Sequence, residues 1–432
     1  LGKEDESSII ETSLKIGKSF DEKLAIRYED FLEKLGKSYY EYKRYLTIRH
    51  NLDGKENLYG YRDFYSLIKK SLRNMMEKEK NNELNEKTLL ESAVDSIERN
   101  FSGIKIEYNE RTSLEIFKEM FQKFYPECQV IKEYDIIKKI KDNINDLNSR
   151  YLLVFAKSSI STFLLSSILS NEKKEYNFFI GSQFEEDLFS EEYLVKVLNK
   201  IKVYMEKGNI LILKNLDLVY FSLYNLFNQN FIDLNNKSYI KISLNSNSFY
   251  YVNNNFRLII IADLESNEEA NFLNKFEKHI LSFENLLSNE LIKEATKIKF
   301  ILDEIVKCDE KIFKTTPYEY GKLLVNNSLE EVQGLIYEAS KKGLNKEEMN
   351  EFVLSKFALT LPQDILINMK INDLKNKDKS FEKIIELYKK GEHSNFSNFL
   401  KTMNGYKNII YTFSNNLEAL KNIDNINNEL IM

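Results

Sequence analysis

Four consecutive aliphatic residues, Ile210-Leu211-Ile212-Leu213, are stopped at once by the polar pair Lys214-Asn215. A run so short and so completely apolar suits a strand buried on both faces of a parallel sheet. Beyond the pair, apolar residues recur at Leu216, Val219, Tyr220, Leu223, Leu226 and Phe227, the spacing of an amphipathic helix. A buried strand that turns through a polar corner into a helix sits where α/β folds place ligand chemistry, in the crevice at the carboxyl ends of the strands.

The pattern extends on both sides. Residues 151–155 and 177–180 read as strands, and 162–169 and 191–206 as helices, the second closed by Gly208 as a C-terminal cap. Residues 239–244 and 249–252 read as a hairpin, 257–262 as another buried strand, and a helix over 271–278 runs into 279–281. Strands alternating with helices predict an α/β fold with a mostly parallel sheet sandwiched by helices. The flanks are helical. An apolar stripe at Leu24, Ala25, Tyr28, Phe31, Leu32 and Leu35 marks the first, with further helices over 58–69 and 89–99. Residues 289–389 are helical again, punctuated by Pro317 and Pro362, and 406–413 (YKNIIYTF) reads as the opening strand of a following unit. This divides the chain into 1–103, helical; 104–288, α/β; 289–395, helical; and 396–432, a new start. A chain that begins at Leu1 in this way reads as a piece of a tandem array.

Composition narrows the function. Across 432 residues, 62 Lys+Arg against 67 Asp+Glu leave a net charge of −5, against a dedicated nucleic-acid surface. Cys128, Cys308, His50, His279 and His393 are too few and too scattered for a zinc site or a disulfide framework, which fits a reducing, cytoplasmic setting. No apolar run reaches the ~18–20 residues that span a bilayer.

A phosphate-cradling loop after the first strand needs glycines followed by Lys and Ser/Thr. Residues 156–162 read AKSSIST, without a glycine, and Lys157 beside Ser158 comes too early to be the phosphate lysine. At the second corner the Mg²⁺ and water-orienting carboxylates of a working ATPase are replaced by Asn215 and Leu216. Lys214 there has the wrong sign beside a metal. Asp217 lies two residues beyond the slot, as a surface or capping residue. The strand over 257–262 runs into Asp263, where a sensor Asn or Thr would meet the γ-phosphate. Three failures together predict a unit that binds no ATP and no metal in its own cleft. Two cations keep a possible role. Arg62, in Gly60-Tyr61-Arg62 at a helix start, either reaches a phosphate held by a preceding domain or pairs with Asp63 or Glu56. Lys275, in NKFEKH, is either a finger toward a neighbouring unit's ATP or part of a solvated charge run. His279 flanks an apolar run and reads as a satisfied histidine.

The runs LYGYRDFYSLIK (58–69), ERNFSG (98–103), SRYLLVFAK (149–157), FIGSQF (179–184), 210–229, NFRLIII (255–261) and LNKFEKHIL (273–281) occur in that order. Together they resemble the mysterin-like giant AAA+ RING E3 ubiquitin ligases, over residues 40–287. The resemblance implies that 1–103 is the helical lid of a preceding AAA+ unit, with Gly60-Tyr61-Arg62 as its sensor-2 motif. It implies that 104–288 is a degenerate AAA+ unit of a dynein-like ring and 289–395 its own lid. ATP and Mg²⁺ would sit in the preceding unit, and the ligase module and its zinc would lie elsewhere. Partners would be the neighbouring AAA+ units and, through the parent protein, the ubiquitin machinery. The family carries Arg where this chain has Lys275. Two other readings stay open at this point: an active ATPase with a divergent P-loop, and a nucleotide-independent α/β scaffold that binds proteins.

Overall fold

The computed structural model describes residues 5–50, 60–103, 112–128, 134–157, 160–182, 184–188, 190–242, 248–263, 272, 274–312, 328–358 and 410–412. Its first part is helical: α1 (Glu6–Phe20), α2 (Glu22–Arg27), α3 (Glu29–His50), α4 (Tyr61–Lys80), α5 (Glu86–Phe101) and α6 (Ser113–Gln122). Local chemistry sets the starts. Asp5, Asp21, Asn85 and Thr112 each accept a backbone N–H of the first turn of the helix they cap. At α4, which starts after glycine, Asp63 reaches back to the Gly60 N–H. The apolar faces close on one core around Leu35, Tyr39, Tyr42, Phe64, Phe101 and Phe117, with Tyr39 stacked on Phe64 at 4.3 Å. Each such side chain contributes on the order of 1.5–3 kcal/mol by leaving water. Helix α6 and Cys128 belong to this core, so the helical module continues past residue 103, where the sequence division placed its end.

The second part begins with α7 (Ile136–Asn145), β1 (Leu152–Ala156), α8 (Ser161–Asn171), β2 (Tyr176–Ile180), α9 (Glu185–Leu188), α10 (Glu191–Lys207) and β3 (Ile210–Lys214). Then come α11 (Asp217–Tyr220), α12 (Tyr224–Phe227), β4 (Ile232–Leu234), β5 (Lys237–Lys241), β6 (Phe249–Val252), β7 (Arg257–Ala262) and β8 (Glu277–Leu281). Helices α13 (Asn289–Ile312), α14 (Leu329–Lys341) and α15 (Lys346–Ala358) follow, then strand β9 (Ile410–Thr412). The main sheet runs β8-β1-β7-β3-β2-β9, all parallel. It is buried on both faces. Leu152 and Val154 point into a core shared with α7, α8 and α13–α15, while Leu153 and Phe155 point into one shared with α10–α12. That explains the unbroken apolar runs. Gly208 caps α10 with φ +82°, as expected of it.

Three expectations are corrected. The hairpin exists, but β4 joins it through a turn at Asn235-Asn236 (φ +51° and +60°) to make a three-stranded antiparallel sheet. Glu277 and Lys278, expected at the end of a helix, belong to β8, whose pairing with β1 runs from Leu152↔Glu277 to Ala156↔Leu281. Within 406–413, residues 410–412 pair with β2 at the edge of this same sheet, where a strand opening a following unit was expected. Among the described residues no helix is long and apolar enough to cross a membrane.

Candidate functional site

The crevice at the carboxyl ends of β1, β3 and β7 is where a nucleotide would lie. Lys157 is exposed beyond β1, and Ser158 lies outside the described residues. Ile160, at the N-cap of α8, is only 8% exposed and packs in one core with Leu164, Phe283, Val332, Leu335 and Ile336. Helix α14 comes so close that a Cβ on Gly334 would lie 3.1 Å from Ile160 and 3.1 Å from the Phe283 ring. The Phe283 N–H donates to the Glu330 carboxylate at 2.6 Å. Burial raises the Glu330 pKa, against the pull of that hydrogen bond and of the Lys157 charge.

The other corner is equally tight. Asn215 takes a left-handed conformation (φ +55°), and the Gly181 N–H donates to the Lys214 carbonyl at 2.9 Å. A Cβ on Gly181 would sit 1.6 Å from the Asn215 carbonyl oxygen, so only glycine fits against that backbone. Asp217 is exposed in the first turn of α11, whose N-cap makes no side-chain hydrogen bond, and Asp263 is exposed at the end of β7. Among the described residues, no group of three His, Cys, Asp or Glu side chains is placed to hold a metal.

The two cations singled out in the sequence converge on α12. Arg62 is exposed and donates to Asn228, the residue that ends α12, so it ties the helical module to the α/β part. Its expected partner Asp63 is engaged elsewhere, and Glu56 lies outside the described residues. Lys275 is 5% exposed, its ammonium 3.9 Å from the centre of the Tyr224 ring. With Glu277 and Lys278 also buried, NKFEKH is no solvated charge run.

The densest polar chemistry is a seam between the helical module and β8. Arg99 on α5 grips Glu277 with two prongs, Nε to Oε1 at 2.9 Å and Nη2 to Oε2 at 2.7 Å, and its third nitrogen donates to Asp146 at 3.1 Å. Asn143 Nδ2 donates to Glu277 at 2.8 Å. Burial would raise the Glu277 pKa, but the Arg99 charge and the hydrogen bonds from His279 and Arg99 outweigh it and hold the carboxyl far below the usual range. An ionised carboxylate only accepts, so His279 Nε2 carries the proton it donates to Glu277 at 3.0 Å. Nδ1 is then the acceptor nitrogen, with the Ser102 and Tyr134 hydroxyls each 2.7 Å away and Tyr134 also 3.0 Å from Ser102. Lys278, wholly buried, donates to Asp63 at 2.9 Å, and Arg150 reaches the same oxygen at 2.9 Å. The backbones meet as well: a Cβ on Gly103 would lie 2.2 Å from the Lys278 Cβ and 2.6 Å from its carbonyl oxygen. His279 is therefore the satisfied histidine expected. Arg99 and Arg150 went unassigned, Asp63 was read only as a partner for Arg62, and Glu277 and Lys278 only as part of a charge run, although all five fall within the runs that carried the family resemblance. Their clustering in those runs is the only signal that could have found them.

A family model described as the RNF213 AAA domain matches residues 141–287. The human E3 ubiquitin-protein ligase RNF213 is 27% identical over 298 residues, 65% of this chain and 5% of that protein. The zebrafish (Danio rerio) E3 ubiquitin-protein ligase rnf213-beta is 29% identical over 237 residues, 52% of this chain and 4% of that protein. A Dictyostelium discoideum protein described as a putative uncharacterized transmembrane protein is 26% identical over 384 residues, 77% of this chain and 6% of its own length. The chain thus spans a small fraction of the length of each of these relatives.

Proposed function

Residues 141–287 being an RNF213-like AAA+ segment, we propose that this chain is a nucleotide-free structural and regulatory unit of an ATPase ring within a cytoplasmic, mysterin-like E3 ubiquitin ligase. The observation that carries the reading is the contact of Gly334 with Ile160. Helix α14 rests on the position from which phosphate-binding N–H groups would point, and apolar side chains fill the space between. Phosphates there would have to displace part of a packed core, at a cost of several kcal/mol. Asn215 and Leu216 put no carboxylate in the slot that would hold Mg²⁺. The helical module would serve as the lid of the preceding unit. Arg62 on α4 would face that unit's ATP, with Lys275 as a weaker second cation, and the seam would carry the lid's motion into this sheet as one body. ATP hydrolysis and ubiquitin transfer would belong to other parts of the parent protein.

Titration of a fluorescent ATP analogue with Mg²⁺ into the 1–432 chain tests the central point. No saturable binding in the cleft is expected. Micromolar binding abolished by Lys157→Ala or Asp217→Ala would overturn the reading in favour of an active ATPase. In a longer protein carrying the preceding unit, Arg62→Ala is expected to slow ATP hydrolysis; an unchanged rate would remove Arg62 from that unit's site.

A further inference from the structure

Away from the crevice, a cavity of about 80 Å³ opens where α4, α5, β8 and the loop after α7 meet. It is walled by Lys69, Lys70, Arg73, Arg99 and Arg150, against only Asp146 and Glu277. The two carboxylates are already shared. Asp146 meets Lys70 at 3.0 Å, Arg99 at 3.1 Å and Arg73 at 3.6 Å, while Glu277 is held by Arg99, Asn143 and His279. Arg150 spends its charge on Asp63, which Lys278 shares. Behind the wall lies Arg257, 3% exposed, whose guanidinium hydrogen-bonds, among the described residues, only the Ser149, Asn143 and Arg150 carbonyls and the Asn143 and Ser149 side chains. Its Nε has no partner among the described residues. Buried charge of one sign is costly unless an opposite charge neutralises it, and this corner holds more cations than carboxylates.

We propose that this cavity is an anion site that takes a phosphate group, held by Lys69, Lys70 and Arg73 from α4. Guanidinium and ammonium groups converging from one helix match the several acceptor oxygens of a phosphate. Lys69, exposed and without an ion pair among the described residues, is free to swing onto such a group. The cavity adjoins a cleft of about 820 Å³ between α4, α5 and α7, with which it shares Lys70, Arg73, Arg99 and Asp146. That cleft, where Glu91, Asp95, Glu98 and Asp142 stand beside Lys78, Lys138 and Lys139, leaves room for an uncharged or cationic remainder of a phosphate-bearing molecule. Occupancy would brace the helical module against β8 at the seam.

The test is thermal unfolding of the 1–432 chain with inorganic phosphate or pyrophosphate, against chloride at matched ionic strength. The melting temperature is expected to rise and saturate with phosphate beyond the chloride effect. Lys69→Gln and Arg73→Gln, each removing one charge-assisted hydrogen bond, should raise the half-saturating concentration about tenfold or more. Phosphate that acts only as chloride does, or variants that saturate like the parent chain, would overturn the proposal. A parallel sedimentation with vesicles bearing a phosphorylated inositol lipid fixes the source: retention that Arg73→Gln abolishes assigns a lipid headgroup, and its absence alongside saturable phosphate binding assigns a soluble ligand. ATP-analogue binding that inorganic phosphate displaces and Arg73→Gln weakens belongs to this seam. Binding lost with Lys157→Ala belongs to the crevice, so the two readings fail separately.

Discussion

Arg99 and Glu277, 178 residues apart, meet as a two-pronged ion pair in which both side chains are nearly sealed from water. The pair joins the helical module to the strand on the outer side of β1, and everything polar in the seam is arranged around it.

Removing one partner should be costly. Glu277→Gln leaves buried Arg99 with Asp146 as its one carboxylate, and Arg99→Leu leaves buried Glu277 with only Asn143 and His279, a loss of up to ~3–5 kcal/mol. Urea denaturation of the two single variants and of the double variant checks this. The double variant should lose clearly less than the sum of the singles, as expected of side chains in direct contact.

Acid should weaken the seam in two stages. His279 is wholly buried, and burial lowers its pKa. The unfolded chain therefore binds a proton that the native chain resists, and stability falls as pH drops below the ordinary histidine value of 6.5. Glu277 has a depressed pKa, so its contribution is complete above 4.5 and is lost as pH falls below that value. Denaturation midpoints between pH 7 and 3 should show both steps, with Glu277→Gln diminishing the lower one, to which Asp95 and Asp146 also contribute.

Alkali acts oppositely through Lys278. Burial pushes its pKa down to about 8 from 10.5, outweighing the pull of Asp63. Between those values the unfolded chain holds a proton that the native chain has released, so this residue adds stability as pH rises through the window. The comparison of Lys278→Met with the parent chain at pH 7.5 and 10 isolates the effect. The stability of the variant relative to the parent should fall at the higher pH, whatever its sign at pH 7.5.

Gly103→Ala should destabilise by ~1–3 kcal/mol, because the new methyl meets strand backbone and cannot push it aside. Phe221, at 74% exposure, is the contrasting case: Phe221→Ser should change stability by no more than ~0.5 kcal/mol. Melting temperatures of the two variants, side by side, check both.

The strands and helices of the α/β part were legible because burial on two faces writes an unmistakable apolar run, as at 210–213. The missed parts share one physical cause. Glu277, Lys278 and His279 are polar residues in a strand interior, and hydropathy assigns such a triplet to a surface. What makes the strand tolerable is partners on α4 and α5, and no local window contains both ends of those bonds. The end of the helical module was misplaced for a similar reason, since α6 reveals its allegiance only through contacts with α3 and α5. At the crevice, only the structure shows that Ile160 packs beneath Gly334 of a helix far away in the chain.

The separation of Arg99 from Glu277 has a consequence for how the molecule is made. Translation delivers the chain from its amino end at ~5–20 residues per second. Once Arg99 has emerged, its carboxylate partner is still 178 residues, or roughly 10–35 s, behind. For that interval the nascent helical module carries Arg99, Ser102 and Asp63 on an unfinished face, and the arrival of β8 is the event that completes it.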